Sequence, residues 1–323
     1  MSDHAKPIFT NDDAARRHLE KIRWPDGPTC PHCGNADKAK ITALKGQSHR
    51  PGLYQCNECR EHFTVTVGSV MERSHIPLSK WVYAFHLMAA SKKGVSAHQL
   101  HRMLGITYKS AWFMAHRIRE AMRPNGAASP LGGEGKIVEA DETYYGKQEN
   151  PRPAKSRRGR PYNPRGSRGP KGKRAIVALV ERGGSVRTFH VGVADQVTVR
   201  KIVSDNVSRE SRLHTDESRL YFGASEEFAS HETVKHSAKE YARGDVHTNC
   251  AEGYFSIFKR GMRGIYQHCA EKHLHRYLAE YDFRYNHRVA LGFDDGERAA
   301  LAVKGAEGKR LTYRQPYVAD VSV

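Results

Sequence analysis

The sequence predicts an α+β chain built of several domains, and three features carry that prediction. Two Cys-x-x-Cys pairs stand close together near the start. A long stretch of helical periodicity follows over residues 78–122. After a Gly- and Pro-rich break, short apolar strands alternate with helical stretches, and two of those strands end in an aspartate. At 323 residues the chain is long enough for two or three domains with their own cores.

Charge narrows the partner. There are 53 Lys and Arg against 35 Asp and Glu, a formal charge of +18. That excess is large for an enzyme of small molecules and fits a polyanionic partner, of which nucleic acid is the commonest, although a membrane surface or general solubility fits the same charge. No apolar run reaches the roughly 18 residues a membrane span needs. Residues 1–6 lack the apolar core of a secretion signal. The expected location is therefore the cytoplasm, at the nucleoid. In a reducing compartment, paired cysteines favour metal over disulfide.

Residues 10–24 read as a short capped helix. Cys30 and Cys33 are then separated by 22 residues from Cys56 and Cys59. Two thiolates from each knuckle can meet at one tetrahedral Zn²⁺, and Gly34 permits the tight turn. Strands are expected at 54–55 and 62–67. Four thiolates leave no open coordination position, so the zinc should be structural. His32, His49 and His62 are surplus to it. This ribbon is assigned residues 1–75.

Residues 76–122 should be helical. Helices are expected at 78–89, 96–104 and 107–119, with Gly105-Ile106 turning the second into the third. A short helix, a Gly turn and a helix fronted by Tyr108 and Lys109 make a helix-turn-helix pattern. Those two residues would then enter the major groove. A plain three-helix bundle with Trp112, Phe113 and Ile118 in its core fits the same pattern.

Residues 123–135 form a linker by composition. The next domain is assigned 136–300, with a tail at 301–323. It opens with a strand at 136–146 that carries Asp141. Residues 147–174 hold eleven Lys or Arg and five Pro against a single acid, Glu149, and should form a flexible basic loop. Arg157, Arg158 and Arg160 at its centre are candidates for DNA backbone contact. Strands at 174–181 and 185–193 should pair antiparallel across Gly183-Gly184. A helix at 198–207 and a strand at 212–217 ending in Asp216 follow. A last helix begins near Asn249. Asn249 reads as its N-cap, with Glu252 closing a capping-box-like start. Glu252, Phe255, Ser256 and Lys259 then share a helical face.

Strand with Asp, two strands, helix, strand with Asp, helix with Glu: that order is the ribonuclease-H-like core. Parallel pairing of its first and fourth strands would set Asp141 beside Asp216, and the helix would bring in Glu252. Three carboxylates together raise one another's pKa unless cations neutralise them. Oxygen ligands and high charge select Mg²⁺ or Mn²⁺.

Taken together, several stretches resemble bacterial insertion-sequence transposases that join an N-terminal zinc ribbon to a DDE-type, integrase-like domain. They are the two cysteine pairs, the helices around Trp81 and Trp112, Val138-Glu139-Ala140-Asp141-Glu142-Thr143-Tyr144, His214-Thr215-Asp216, and His247-Thr248-Asn249 through Lys259-Arg260. His273-Leu274-His275-Arg276-Tyr277 and Phe283-Arg284-Tyr285-Asn286 match the family's helical tail. The 35 residues between Asp216 and Glu252, with Lys259 seven beyond Glu252, match the family's spacing. The resemblance implies a DNA transposase that binds terminal inverted repeats through the ribbon and helix-turn-helix. It implies two Mg²⁺ (or Mn²⁺) ions on Asp141, Asp216 and Glu252, cleavage at the transposon ends, and joining of the 3′-OH to target DNA. Lys259 and Arg260 would contact DNA beside the cut, and the chain would act as a homo-oligomer on DNA. Some members use Asn as the third residue, so Asn249 stands beside Glu252 as a candidate. Tyr144 and Tyr145 are not needed as nucleophiles. A DNA-binding regulator that does not cut, and a nuclease of this fold that does not join, are the competing readings.

Overall fold

The computed structural model describes residues 5–126, 129–149, 172–224 and 227–312. The chain forms two compact units, Met1–Asn125 with His287–Val323, and Gly126–Asn286.

In the first unit, α1 (Pro7–Thr10) leads into α2 (Asp12–Arg23), which Asn11 caps by accepting the Ala14 N–H at 2.9 Å. The ribbon follows as an antiparallel meander of β1 (Ile41–Leu44), β2 (Leu53–Cys56) and β3 (His62–Phe63). Its small core is aromatic. Tyr54 and Phe63 stack at 5.6 Å, and Trp24 meets both edge-on. The third strand stops at Phe63 instead of running to 67, because the chain turns there and the Val67 N–H donates to the Thr64 carbonyl.

Helices α3 (Leu78–Ala90), α4 (Ala97–Leu104) and α5 (Tyr108–Ala121) complete the front of this unit. Ser96 caps α4 and Thr107 caps α5. Gly105 ends α4 at φ 57°, a left-handed conformation that glycine adopts without strain. The helix–turn–helix spacing read from the sequence is thus present.

The second unit is a five-stranded sheet with helices on both faces. Its strands are β4 (Ile137–Lys147), β5 (Lys173–Glu181), β6 (Val186–Val191), β7 (Arg212–Asp216) and β8 (Ser230–Val234), in the order β6-β5-β4-β7-β8. The first three pair antiparallel, and β7 runs parallel to both β4 and β8. This is the ribonuclease-H-like arrangement. Seven consecutive residues of β5, from Arg174 to Val180, are buried, as a strand covered on both faces must be. Helix α6 (Gln196–Asn206) packs Val199 and Val203 against Val138, Ala140 and Leu179 on one face. On the other, α7 (Asn249–Gly261) and α8 (Leu274–Asn286) bury Phe258, Leu278 and Tyr281 against Ile176, Ala178 and Val180.

Strand β8 has no counterpart in the sequence reading. Its residues Ser-His-Glu-Thr-Val lack apolar alternation, and it is held by parallel pairing to β7. The sheet unit also ends at Asn286, short of residue 300. Helix α9 (Asp295–Lys304), capped by an Asp294–Glu297 capping box, belongs to the first unit. There Arg298 is buried and donates to the Ala89 carbonyl of α3 at 3.1 Å. Among the described residues no helix is long and apolar enough to cross a membrane.

Candidate functional site

Two groups of titratable side chains stand out. In the ribbon, Cys30 Sγ lies 3.6 Å from Cys59 Sγ, and Cys33 Sγ lies 3.7 Å from Cys56 Sγ. All four sulfurs fall within 4.8 Å of one another. A tetrahedron of Zn–S bonds of about 2.3 Å has S···S edges of about 3.8 Å, so the four fit one Zn²⁺ as they stand. The Cys59 backbone N–H, with further donors, lowers the Cys56 thiol to about 6, toward the thiolate that zinc requires. His32, His49 and His62 are exposed and outside this group.

The second group lies in the sheet unit. The β4–β7 ladder pairs Glu139 with His214, and each strand carries its aspartate two residues further on. Asp141 and Asp216 therefore leave parallel neighbours at the same level. The Asp141 carboxyl is pushed up to about 8, first by burial, then by Glu142 and Asp216, with Glu252 adding to it. Burial raises Asp216 too, against the Ser218 N–H that donates to its Oδ1 at 3.0 Å. Glu142 is raised by burial and then by Asp216. Tyr221 Oη donates to it at 3.0 Å and Ser218 Oγ at 3.3 Å. Glu142 is thus a fourth acid of this cluster, which the sequence reading passed over although it adjoins Asp141. The Glu252 side chain is half exposed, with His236 Nε2 3.6 Å from its Oε1.

These carboxylates are close enough to act on one another electrostatically but have not converged. Among the described residues, the four cysteines alone gather three or more ligand atoms within 4.8 Å. The donors are all oxygen, and the negative charge at Asp141 is buried beside like charges. Both properties suit a hard divalent cation.

The start of α7 differs from the sequence reading. Asn249 is not the N-cap. It is the first helical residue and is exposed, while Thr248 at the cap position makes no side-chain cap bond. Glu139 of β4 does that work, with its side chain fully buried. Its Oε2 accepts the backbone N–H groups of Cys250 at 2.8 Å and Ala251 at 3.1 Å. Its Oε1 accepts from Arg182 Nε at 3.1 Å and Nη2 at 2.8 Å, and His247 Nδ1 lies 3.2 Å away. A full negative charge from the sheet satisfies the helix's free N–H groups and meets its positive end. No capping box is needed, and Glu252 is left free to point outward. Local sequence could not reveal this, because the cap lies more than a hundred residues upstream.

Lys259 is half-buried one side of Asp141. Burial lowers its pKa, and Asp141 is the charge that opposes this. Arg260 folds back on its own helix and donates to Ser256 Oγ at 3.0 Å. Tyr145 packs against Phe258 and donates to the Met262 carbonyl, a packing role. In the first unit, Tyr108 and Lys109 sit exposed at the front of α5, with Tyr108 stacked on His98 at 4.2 Å. Arg157, Arg158 and Arg160 lie outside the described residues.

Residues 130–286 match the model of the ISXO2-like transposase domain, and residues 10–62 match a transposase zinc-ribbon domain. The chain is 28% identical over 267 residues to an uncharacterised protein in transposable element ISH50 of Halobacterium salinarum, covering 80% of this chain and 86% of that one. Among solved structures, a pre-cleavage Mos1 transpososome is 11% identical, with 69% of this chain and 74% of that chain covered and a TM-score of 0.27. A simian T-cell lymphotropic virus intasome is 14% identical, with 57% of this chain and 63% of that chain covered and a TM-score of 0.28. Likeness at that level adds nothing to the fold derived above. A ribbon and a sheet domain that match two transposase models, in the same order along one chain, place this protein among the ISXO2-like insertion-sequence transposases.

Proposed function

We propose that the chain binds double-stranded DNA at the terminal inverted repeats of its own insertion sequence, cleaves the phosphodiester at each end, and joins the freed 3′-OH to target DNA. The observation that carries this reading is Asp141, whose buried carboxyl is driven to about 8 with Asp216 and Glu252 among the causes. A site that crowds acids in this way calls for a cation. Asp141, Asp216 and Glu252 would hold Mg²⁺ or Mn²⁺, which when bound supplies an activated water and charge stabilisation at the leaving oxygen. Asp141 within β4 and Asp216 at the end of β7, on parallel neighbouring strands, would set the floor of the site. Lys259 balances Asp141 and is placed for a phosphate beside it. Arg260 is a phosphate contact once released from Ser256. Tyr108 and Lys109 would read the ends together with the ribbon, and Arg157, Arg158 and Arg160 would bind backbone. The chain would act as a homo-oligomer on paired ends.

Glu252 is favoured as the third acid because its charge reaches Asp141. Asn249, one turn earlier on the same helix, is the alternative. A Mg²⁺ strand-transfer assay on end-containing DNA tests the whole. Asp216→Asn should abolish cleavage and joining while end binding persists; full cleavage by that variant would sink the assignment. Glu252→Gln should lose at least as much activity as Asn249→Ala, and the reverse order would pass the role to Asn249. A wild-type chain that binds but never cuts would be a regulator, and one that cuts without joining a nuclease.

A further inference from the structure

Glu139 joins the two halves of the carboxylate cluster. It lies two residues before Asp141 on β4, so both point to the same face of the sheet, the face on which α7 packs. Its Oε2 holds the backbone N–H groups of Cys250 and Ala251, two residues and one residue before Glu252. Its Oε1 is fixed in turn by the Arg182 fork and His247. One buried carboxylate thereby ties the strand that carries Asp141 to the helical turn that carries Glu252.

We infer that Glu139 is a positioning residue. It sets the distance and rotation of Glu252 relative to Asp141 and thereby the site's affinity for a divalent cation. The inference rests on the proposed reading of Asp141 and Glu252 as ligands. Arg182 acts behind Glu139. Its Nε and Nη2 both meet Oε1, and its Nη1 donates to the Asp245 carbonyl at 2.8 Å, which fixes the guanidinium plane. Fork geometry of that kind cannot be reproduced by a lysine. An aspartate at 139 would be one methylene too short to reach both amides, so charge alone should not rescue the site.

The test compares full-length wild type, Glu139→Gln, Glu139→Asp and Asp141→Asn. Three measurements are made on each: Mn²⁺ affinity by calorimetry, amide exchange at residues 250–251, and kcat and KM for end cleavage. Wild type should bind Mn²⁺ and Asp141→Asn should not. Glu139→Gln should stay folded, exchange the 250–251 amides faster, bind Mn²⁺ about 10- to 100-fold more weakly, and lose kcat with KM for DNA unchanged. Glu139→Asp should not restore affinity. Faster amide exchange with wild-type Mn²⁺ affinity and kcat would overturn the inference alone, leaving Glu139 as a helix cap. A wild-type chain that binds no Mn²⁺ would overturn the carboxylate-site reading, and the inference with it. Should Glu139→Gln fail to fold, Arg182→Lys carries the same test with a smaller loss expected, and unchanged Mn²⁺ affinity in that variant would likewise overturn it.

Discussion

At the scale of single residues, burial dominates the titration of this protein. Asp282 of α8 is enclosed with Thr188 and Tyr254. It accepts from the Thr188 N–H at 3.0 Å, the Thr188 hydroxyl at 2.9 Å and Tyr254 Oη at 2.6 Å. Those donors favour the anion, yet burial wins and its carboxyl rises from 3.8 to about 6. Between those values the folded chain keeps a proton that the unfolded chain releases. Stability should therefore fall as pH rises from about 4 to about 6. Asp141, raised to about 8, extends the same sign of dependence across the wider window from about 4 to about 8. Thermal midpoints taken across both windows should show the Asp282→Asn variant losing slope below pH 6 and keeping it above. A variant whose slope below pH 6 matched wild type would place that proton elsewhere. Which acids would be buried was the part the sequence could not supply. Asp141 and Asp216 were legible because each follows a short apolar run, although β4 continues past Asp141 to Lys147 and only Asp216 ends its strand. Glu139, two residues earlier on the same strand, carried no local mark of its burial.

At the scale of elements, what was legible is what is encoded locally. Cysteine spacing marked the ribbon, Ser96, Gly105 and Thr107 marked the two helices of the turn, and the apolar run of β5 marked a strand. What was not legible depends on a distant partner. Strand β8 exists because β7 offers it an edge, and α7 begins where Glu139 holds it. Two predictions belong here. Phe258 of α7 is fully buried and meets Tyr145 and Tyr281 edge-on at 5.6 and 5.3 Å. Phe258→Ala should cost about 3–5 kcal/mol in urea unfolding, and a loss well under 1 kcal/mol would mean the helix is not anchored there. In the ribbon, chelation of zinc or Cys30→Ser should release the aromatic packing of Trp24 on Tyr54 and Phe63. Trp24 emission should shift to the red in response, and an unmoved spectrum would show that the ribbon folds without metal.

At the scale of the whole molecule, the +18 charge sets how the chain should meet DNA. Affinity should fall linearly on a log–log plot against salt, with a slope that counts neutralised phosphates. Replacing Arg157, Arg158 and Arg160 together by Gln should flatten that slope by about 2.7 if each meets one phosphate. An unchanged slope would remove them from the interface. The charge total was fully visible in the sequence, but the division of the chain was not. The sheet unit begins at Gly126, inside the stretch read as a linker at 123–135, and Leu131 of that stretch is buried in its core, while the second boundary at Asn286 follows no break in composition and shows only in the partners of α9.

That second boundary has a consequence for synthesis. The first unit is split in sequence, with α9 packed on α3 but separated from the ribbon and helices by the whole sheet unit. About 160 residues must be translated before α9 exists, which at about 5–20 residues per second takes roughly 8–30 s. During that interval the nascent chain carries a completed ribbon and an α3 without its covering helix. The sheet unit, continuous in sequence, can close on its own while the first unit waits. The unit that holds the ribbon and the three helices is therefore the last to mature on the ribosome, although it is the first to be made.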